Sequence, residues 1–233
     1  MVARCLIVFL GSFFLGPAAA EVNLGANAYD KGRPSVALRY WLPLARQGNS
    51  KAQNNLGVMY ERGHGVSKDY KKAKIWFARA AQQDLAEAKV NLGLLYYSGS
   101  GVTQNFKKAF TLFSDAAQDQ LPEANHMLGL LNYFGFGTLA NPSAAKEYFE
   151  GAAVKGYPES QYMLAYLYQS GDLGKKRSDL AYMWSKIASD YGELEIAQDL
   201  NYLTTLQLDD DEEAEQAANA EICYSSNFLN CPF

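Results

Sequence analysis

A stretch of 36 residues, Asn55 to Val90 (NLGVMYERGHGVSKDYKKAKIWFARAAQQDLAEAKV), returns from Asn91 and again from Met127, and a fourth, looser copy starts at Met163. Gly57, Gly93, Gly129 and Ala165 stand 36 apart, and so do Gly63, Gly99, Gly135 and Gly171. A fixed period of this size marks a stacked array, in which each unit buries its apolar face only against its neighbours. The core of such a chain is continuous rather than divided among separate globular domains. The period therefore predicts an architecture and a class of work, that of a binding scaffold, without naming what is bound.

Each unit reads as two helices. In Lys51–Arg62 the apolar residues Ala52, Leu56, Met59 and Tyr60 recur at helical spacing, forming one stripe. Gly63 ends the helix, since glycine takes the left-handed conformation without a Cβ clash. After the turn Gly63-His64-Gly65-Val66, a second helix opens at Asp69, and in the later copies at Asn105 and Asn141. These residue types cap a helix by accepting a backbone N–H, and Pro142 suits the first helical position after Asn141. The second stripe is Ala73, Trp76, Phe77, Ala80 and Ala81, matched by Ala109, Leu112, Phe113, Ala116 and Ala117 and by Ala145, Tyr148, Phe149, Ala152 and Ala153. Large and small residues alternate at the same places, so the alanines and the Gly57-type positions predict close helix approach.

Leu-Gly, then Tyr, Gly-x-Gly-Val, a basic-basic-Ala-x-x-Trp/Leu-Phe segment and Ala-Ala together resemble the Sel1-like repeat, a relative of the tetratricopeptide repeat. The match is strong from Asn55 and Asn91. It weakens at Met127, where Thr138 replaces Val, and at Met163, where Ala165 replaces Gly and Gly171-Asp172-Leu173-Gly174 alters the loop. Leu24-Gly25 through Ala45 is an opening unit with a loop four residues shorter, and the likeness covers about residues 22–205. The resemblance implies an all-α, right-handed α-solenoid of stacked antiparallel helix pairs, about six in number.

The ends differ from the repeats. Arg4, the apolar run Cys5–Phe14, the break Gly16-Pro17 and the small residues Ala18 and Ala20 read as a signal peptide over 1–20, with a mature start at Glu21. The alternative is a retained N-terminal anchor, for which the run is short, a span needing about 20 apolar residues. After cleavage no membrane span is expected. Residues 21–50 form the opening helix pair, 51–192 the repeats, and 193–233 capping helices and a tail. Glu193–Leu206 reads as one helix, and the acidic run from Asp209 starts another, with Asp210 and Glu213 at capping-box spacing. Glu212, Glu213, Glu215 and Gln216 supply the polar outer face a terminal unit needs. Cys223 and Cys231 remain after export, and an even count in an oxidising compartment reads as a disulfide. A zinc site would need four ligands, and only His64 and His126 exist to complete one. The resemblance points the same way, since exported Sel1-like proteins often end in a paired-cysteine helix and tail.

The net charge is −4, with 20% charged residues, which speaks against nucleic acid, a partner that requires a clustered basic face. No catalytic constellation is evident. His64 aligns with Ser100, Phe136 and Asp172, and His126 with Asn54, Val90 and Tyr162; neither has a nucleophile and an orienting partner at hand in the sequence. The turn glycines lack the lysine and spacing of a phosphate loop. No cofactor and no metal are expected. The resemblance places the outward face of each first helix along a concave groove: Asn54, Val58 and Glu61; Val90, Leu94 and Tyr97; His126, Leu130 and Tyr133; Tyr162, Tyr166 and Gln169. Tyrosine offers contact area with a polar handle, so Tyr97, Tyr133, Tyr162 and Tyr166 read as a recognition surface, unless some of them only pack between neighbouring first helices. The function expected is a noncatalytic scaffold of the bacterial periplasm or exterior that binds a protein, a peptide or an envelope glycan. The rival is a periplasmic hydrolase of cell-wall-like or β-lactam substrates. Oligomeric state is not legible.

Overall fold

The structure, a computed structural model, describes residues 17–231. The signal-peptide reading therefore lies outside the described residues except for its end, where Ala18, Ala19 and Ala20 fall in the first turn of α1. Among the described residues the chain is all-helical: α1 (Pro17–Asp30), α2 (Pro34–Arg46), α3 (Ser50–Arg62), α4 (Tyr70–Ala81), α5 (Ala86–Ser98), α6 (Phe106–Ala117), α7 (Pro122–Phe134), α8 (Pro142–Ala153), α9 (Pro158–Ser170), α10 (Ser178–Lys186), α11 (Ile196–Thr205) and α12 (Asp210–Ser225). The helices pair in succession, the arrangement of an α-solenoid. Two compact units divide after Trp76, and each has its own core.

Local signals place the helix ends as the repeat predicts. Gly63, Gly99, Gly135 and Gly171 all take left-handed φ, between 71° and 81°, directly after the first helix of their pair. Asp69 accepts the Lys72 amide, Asn105 the Lys108 amide and Asn141 the Ala144 amide, at 2.9–3.0 Å. Proline at the first helical position opens α2, α7, α8 and α9, where its missing N–H would be unpaired in any residue.

Packing within a pair depends on one contact. A Cβ placed on Gly93 would stand 2.6 Å from the Phe113 ring, and one on Gly129 would overlap the Phe149 ring. Both phenylalanines are fully buried. In the opening pair Trp41 lies over Gly25 in the same way and donates from Nε1 to the Val22 carbonyl at 3.0 Å. The unit from Met163 departs from the pattern on both sides of the contact. Ala165 replaces glycine, and Ser185 stands where Phe149 and Phe113 do, both fully buried. Trp184 and Met183 fill that core instead. Between pairs, the Gln161 side chain donates from Nε2 to the Ala153 carbonyl at 3.1 Å, and Gln53 to the Ala45 carbonyl at the same distance. These glutamines stand three repeats apart and join like positions.

The C-terminal segment corrects three readings. The helix expected over Glu193–Leu206 is α11, which begins only at Ile196. Its predecessor runs into a π-helical turn, Ile187–Tyr191, and Glu193 then takes φ 53°, a conformation no right-handed helix continues. The capping box is Asp209 with Glu212, one residue earlier than the spacing of Asp210 and Glu213 suggested. Glu213 is instead turned to accept the Tyr182 hydroxyl at 3.3 Å. Gln216 is buried, so it is no part of a polar outer face. Glu212 and Glu215 are exposed, yet Tyr202, Leu203, Leu206 and Ile222 are exposed as well.

Cys223 and Cys231 are joined as a disulfide, eight positions apart. Cys223 is fully buried, and the tail it holds lays Phe228 over Gly156 and against Tyr224. Tyr224 in turn stacks on Tyr191 with centroids 4.0 Å apart. Among the described residues no helix is long and apolar enough to cross a membrane.

Two outcomes test this packing. Gly93→Ala should destabilise the protein by about 1–3 kcal/mol, because the methyl enters the Phe113 ring. Phe113→Leu in the same chain should recover part of that loss, a non-additivity read from denaturant unfolding; strictly additive losses would mean the glycine matters for another reason. Reducing the disulfide should cost roughly 2–3 kcal/mol, the chain entropy of opening so short a loop. Unfolding curves with and without reductant measure it, and thiol labelling of the denatured, unreduced protein should find no free cysteine.

Candidate functional site

The turns hold a second repeated contact that the sequence reading did not foresee. After Gly63, Gly135 and Gly171 the next residue reaches back to the first helix of the preceding pair, at the same repeat position, whereas Ser100, after Gly99, bonds Ser98 in its own helix end. His64 Nδ1 pairs with the Tyr29 hydroxyl at 2.7 Å. The Phe136 ring lies 6.4 Å from that of Tyr97. Asp172 accepts the Tyr133 hydroxyl at 2.7 Å. His64, Phe136 and Asp172 share no chemistry, which is why alignment of the repeats made them look like unrelated loop residues. Each matches its own partner: imidazole to phenol, ring to ring, carboxylate to phenol. Burial, helped by the Asp172 carboxylate and by Tyr166, pushes the Tyr133 phenol well above its usual range, and the donated proton holds Asp172 below its own.

The twelve residues assigned to a groove are consequently not alike. Val90 is buried and packs with Phe113, Met127 and Leu131, so it offers no surface to a ligand; a valine one turn from the core edge is covered by the next helix. Leu94 and Tyr97 pack half-buried on the same core, Tyr133 and Tyr162 on the next, and Leu130 on both. Asn54, Val58 and Gln169 are half-buried. Glu61 is also half-buried, and its desolvation holds the carboxyl above the ordinary range despite Arg62 and Lys68 nearby. His126 is held among side chains rather than presented: Nδ1 lies 2.9 Å from the fully buried Ser160 hydroxyl, and the ring lies 5.1 Å from Tyr157 and 5.7 Å from Phe149. Tyr166 alone among the twelve is exposed.

What the structure does expose is an aromatic strip that runs from the end of α5 and the start of α6, through the end of α7 and the turn after it, to α9. Tyr97 meets Phe106 edge-on at 5.5 Å, and Phe106 stacks on Phe136 at 4.8 Å. Phe136 stacks on Phe134 at 5.5 Å, Phe134 meets Tyr133 at 4.9 Å, and Tyr133 meets Tyr166 at 6.1 Å. Phe134 is 52% exposed and Tyr166 40%. Phe106, Phe134 and Phe136 lie at helix ends and in a turn, off the outward first-helix faces from which the groove was predicted. A signal existed: at the position of Phe134 the other repeats carry Arg62, Ser98 and Ser170. An aromatic where the register is otherwise polar is not explained by the core. Among the described residues no group of three or more histidine, cysteine or acidic side chains could hold a metal.

The class this geometry defines is a helix-pair repeat scaffold with an exposed aromatic strip. The chain belongs to the Sel1 repeat family, whose repeats match residues 18–49, 50–85, 86–120, 122–157 and 158–192. It is similar to the crystal structure of a Sel1 repeat protein from Oxalobacter formigenes, at 34% identity and TM-score 0.66, over 75% of this chain and 73% of that one. It is also similar to c5321, a protective antigen present in uropathogenic Escherichia coli strains displaying an SLR fold, at 28% identity and TM-score 0.73, over 91% of this chain and 46% of that one. A Sel1 repeat protein from Klebsiella pneumoniae shares the fold at 20% identity and TM-score 0.58, over 82% of this chain and 94% of that one. No curated protein matches the sequence. Sel1 repeats generally mediate protein–protein interaction, on scaffolds that are typically noncatalytic.

His126 makes the fold sensitive to acid. Burial depresses its pKa from 6.5 to about 4, so between those values the unfolded chain binds more protons than the folded one. Stability from this site is complete above about pH 6.5 and falls as the pH drops through about 4, by about 2–3 kcal/mol in all after discounting for the exposed part of the ring. In His126→Gln the difference in unfolding free energy between pH 7 and pH 4 should shrink by that amount. An unchanged difference would show that the carboxylates alone carry the acid sensitivity.

Proposed function

We propose that the protein is an exported, noncatalytic scaffold of the bacterial envelope that docks another protein on the aromatic strip of Tyr97, Phe106, Phe136, Phe134, Tyr133 and Tyr166. The observation that carries this reading is the exposure of Phe134 and Tyr166 in a continuous chain of ring contacts. Aromatic rings are the residues on which interface energy concentrates, because each buries a large area at little entropic cost. Stacking of Phe136 between Phe106 and Phe134 leaves the strip rigid before a partner arrives, which lowers the cost of binding. Export rests on the apolar run Cys5–Phe14 and on Ala18 and Ala20. Cleavage before Glu21 would leave Val22, whose carbonyl anchors Trp41, in place. An oxidising compartment also suits the disulfide.

A photo-cross-linking residue at Phe134 or Tyr166, followed by mass spectrometry of the captured species in living cells, tests the docking face. With the captured partner in hand, Phe134→Ala and Tyr166→Ala should each weaken binding by about 2 kcal/mol, roughly 30-fold, with little change in melting temperature. Phe113→Ala should do the reverse and cost roughly 3–5 kcal/mol of folding stability. Full affinity in both strip variants would move the docking face elsewhere. Cell fractionation with N-terminal sequencing tests export, the expected start being Glu21.

A further inference from the structure

The α9–α10 turn also borders a cleft whose chemistry differs from that of the strip. There the first turn of α8, the end of α9 and the turn enclose an open cleft of about 540 Å³, lined by Ser143, Lys146, Glu147, Tyr168, Lys175 and Arg177. Three of these side chains are cations and one is an anion, in a chain of net charge −4. We propose that this cleft binds an oxyanion, the carboxylate or phosphate group of a ligand.

Four features converge on that chemistry. The cleft opens at the N-terminus of a twelve-residue helix, where Asn141 already caps the Ala144 amide and Ser143 is the second helical residue; the helix dipole favours negative charge there. Tyr168 is only 5% exposed, and its hydroxyl makes no hydrogen bond of good geometry. Burial pushes this phenol up from its ordinary value, so it remains an O–H donor, and a buried donor left poorly paired gains from an incoming acceptor. Two of the cations are fixed in place. Lys146 Nζ lies 2.7 Å from Glu150 and 5.8 Å from the Tyr168 ring centroid, and the Arg177 guanidinium donates two bonds to Asp179 at 2.9 and 2.7 Å. Lys175 is exposed and forms no ion pair among the described residues. A site with two cations held in place by the carboxylates of Glu150 and Asp179, one exposed cation in no ion pair among the described residues and a neutral phenol donor suits an oxyanion with several acceptor lone pairs. Glu147 is the one group on the lining that opposes it.

The test titrates the full chain with inorganic phosphate, with N-acetylalanine and with N-acetylalaninamide, following backbone amide shifts by NMR. Saturable shifts at residues around Tyr168 and Lys175 are expected with one or both anions and not with the neutral amide. Tighter binding of phosphate would identify a phosphate ligand, and tighter binding of N-acetylalanine a carboxylate such as a chain terminus. Tyr168→Phe and Lys175→Gln should each weaken the anion about tenfold, the loss of one charge-assisted bond, while Glu147→Gln should tighten it. Lys175 is a surface residue, so its variant reports on binding even if Tyr168→Phe proves less stable. Phe134→Ala should leave the titration unchanged, which separates this site from the docking strip. The proposal is overturned if neither anion saturates, or if Tyr168→Phe and Lys175→Gln bind as the parent does.

Discussion

The fit of one aromatic ring over one glycine holds together the helix pairs α1–α2, α5–α6 and α7–α8. Gly93 under Phe113 and Gly129 under Phe149 bring two helix backbones as close as side chains allow. The alanines of the second helix, Ala109 and Ala116, then Ala145 and Ala152, are fully buried around the same rings. Because the glycine has no Cβ, the ring loses no contact to a gap, and dispersion accumulates over its whole face. The unit from Met163 solves the same problem differently. There Ala165 faces a helix that carries Ser185 where a phenylalanine stood, and Met183 and Trp184 are buried in that core.

With the pairs fixed, succession is secured by contacts of the second kind, from a turn to the pair before it. Their chemistry varies because each needs to match only its own partner. Tyr133 and Asp172 use a charge-assisted hydrogen bond, while Phe136 and Tyr97 use ring contact. Variation between repeats is thus of two kinds. Part of it is complementary and internal, as at Tyr97 and Tyr133. Part leaves the ring exposed, as at Phe134 and Tyr166.

The α9–α10 turn shows how one short segment serves two surfaces. Asp172 completes the contact that ends the aromatic strip, and Lys175 and Arg177 face the cleft at the start of α8. The irregular spelling Gly171-Asp172-Leu173-Gly174, which weakens the repeat as a pattern, gives this turn its two roles.

The sequence by itself determined the period, the helix pairs and nearly every helix end. These depend on neighbours along the chain: a left-handed glycine, a capping side chain, an apolar stripe of fixed spacing. It also marked Gly93 and Gly129 as sites of close approach and Cys223 and Cys231 as a pair. Only the tertiary structure decided which outward residues are free. Val90 and Tyr166 stand on like helices at outward positions, yet one is covered by the next pair and the other is open, since burial depends on how far the neighbouring helix reaches. The same is true of the phenols. Whether a tyrosine waits for a ligand or spends its hydroxyl on a carboxylate 39 residues away is set by the superposition of one turn on another, and no local spacing encodes that distance.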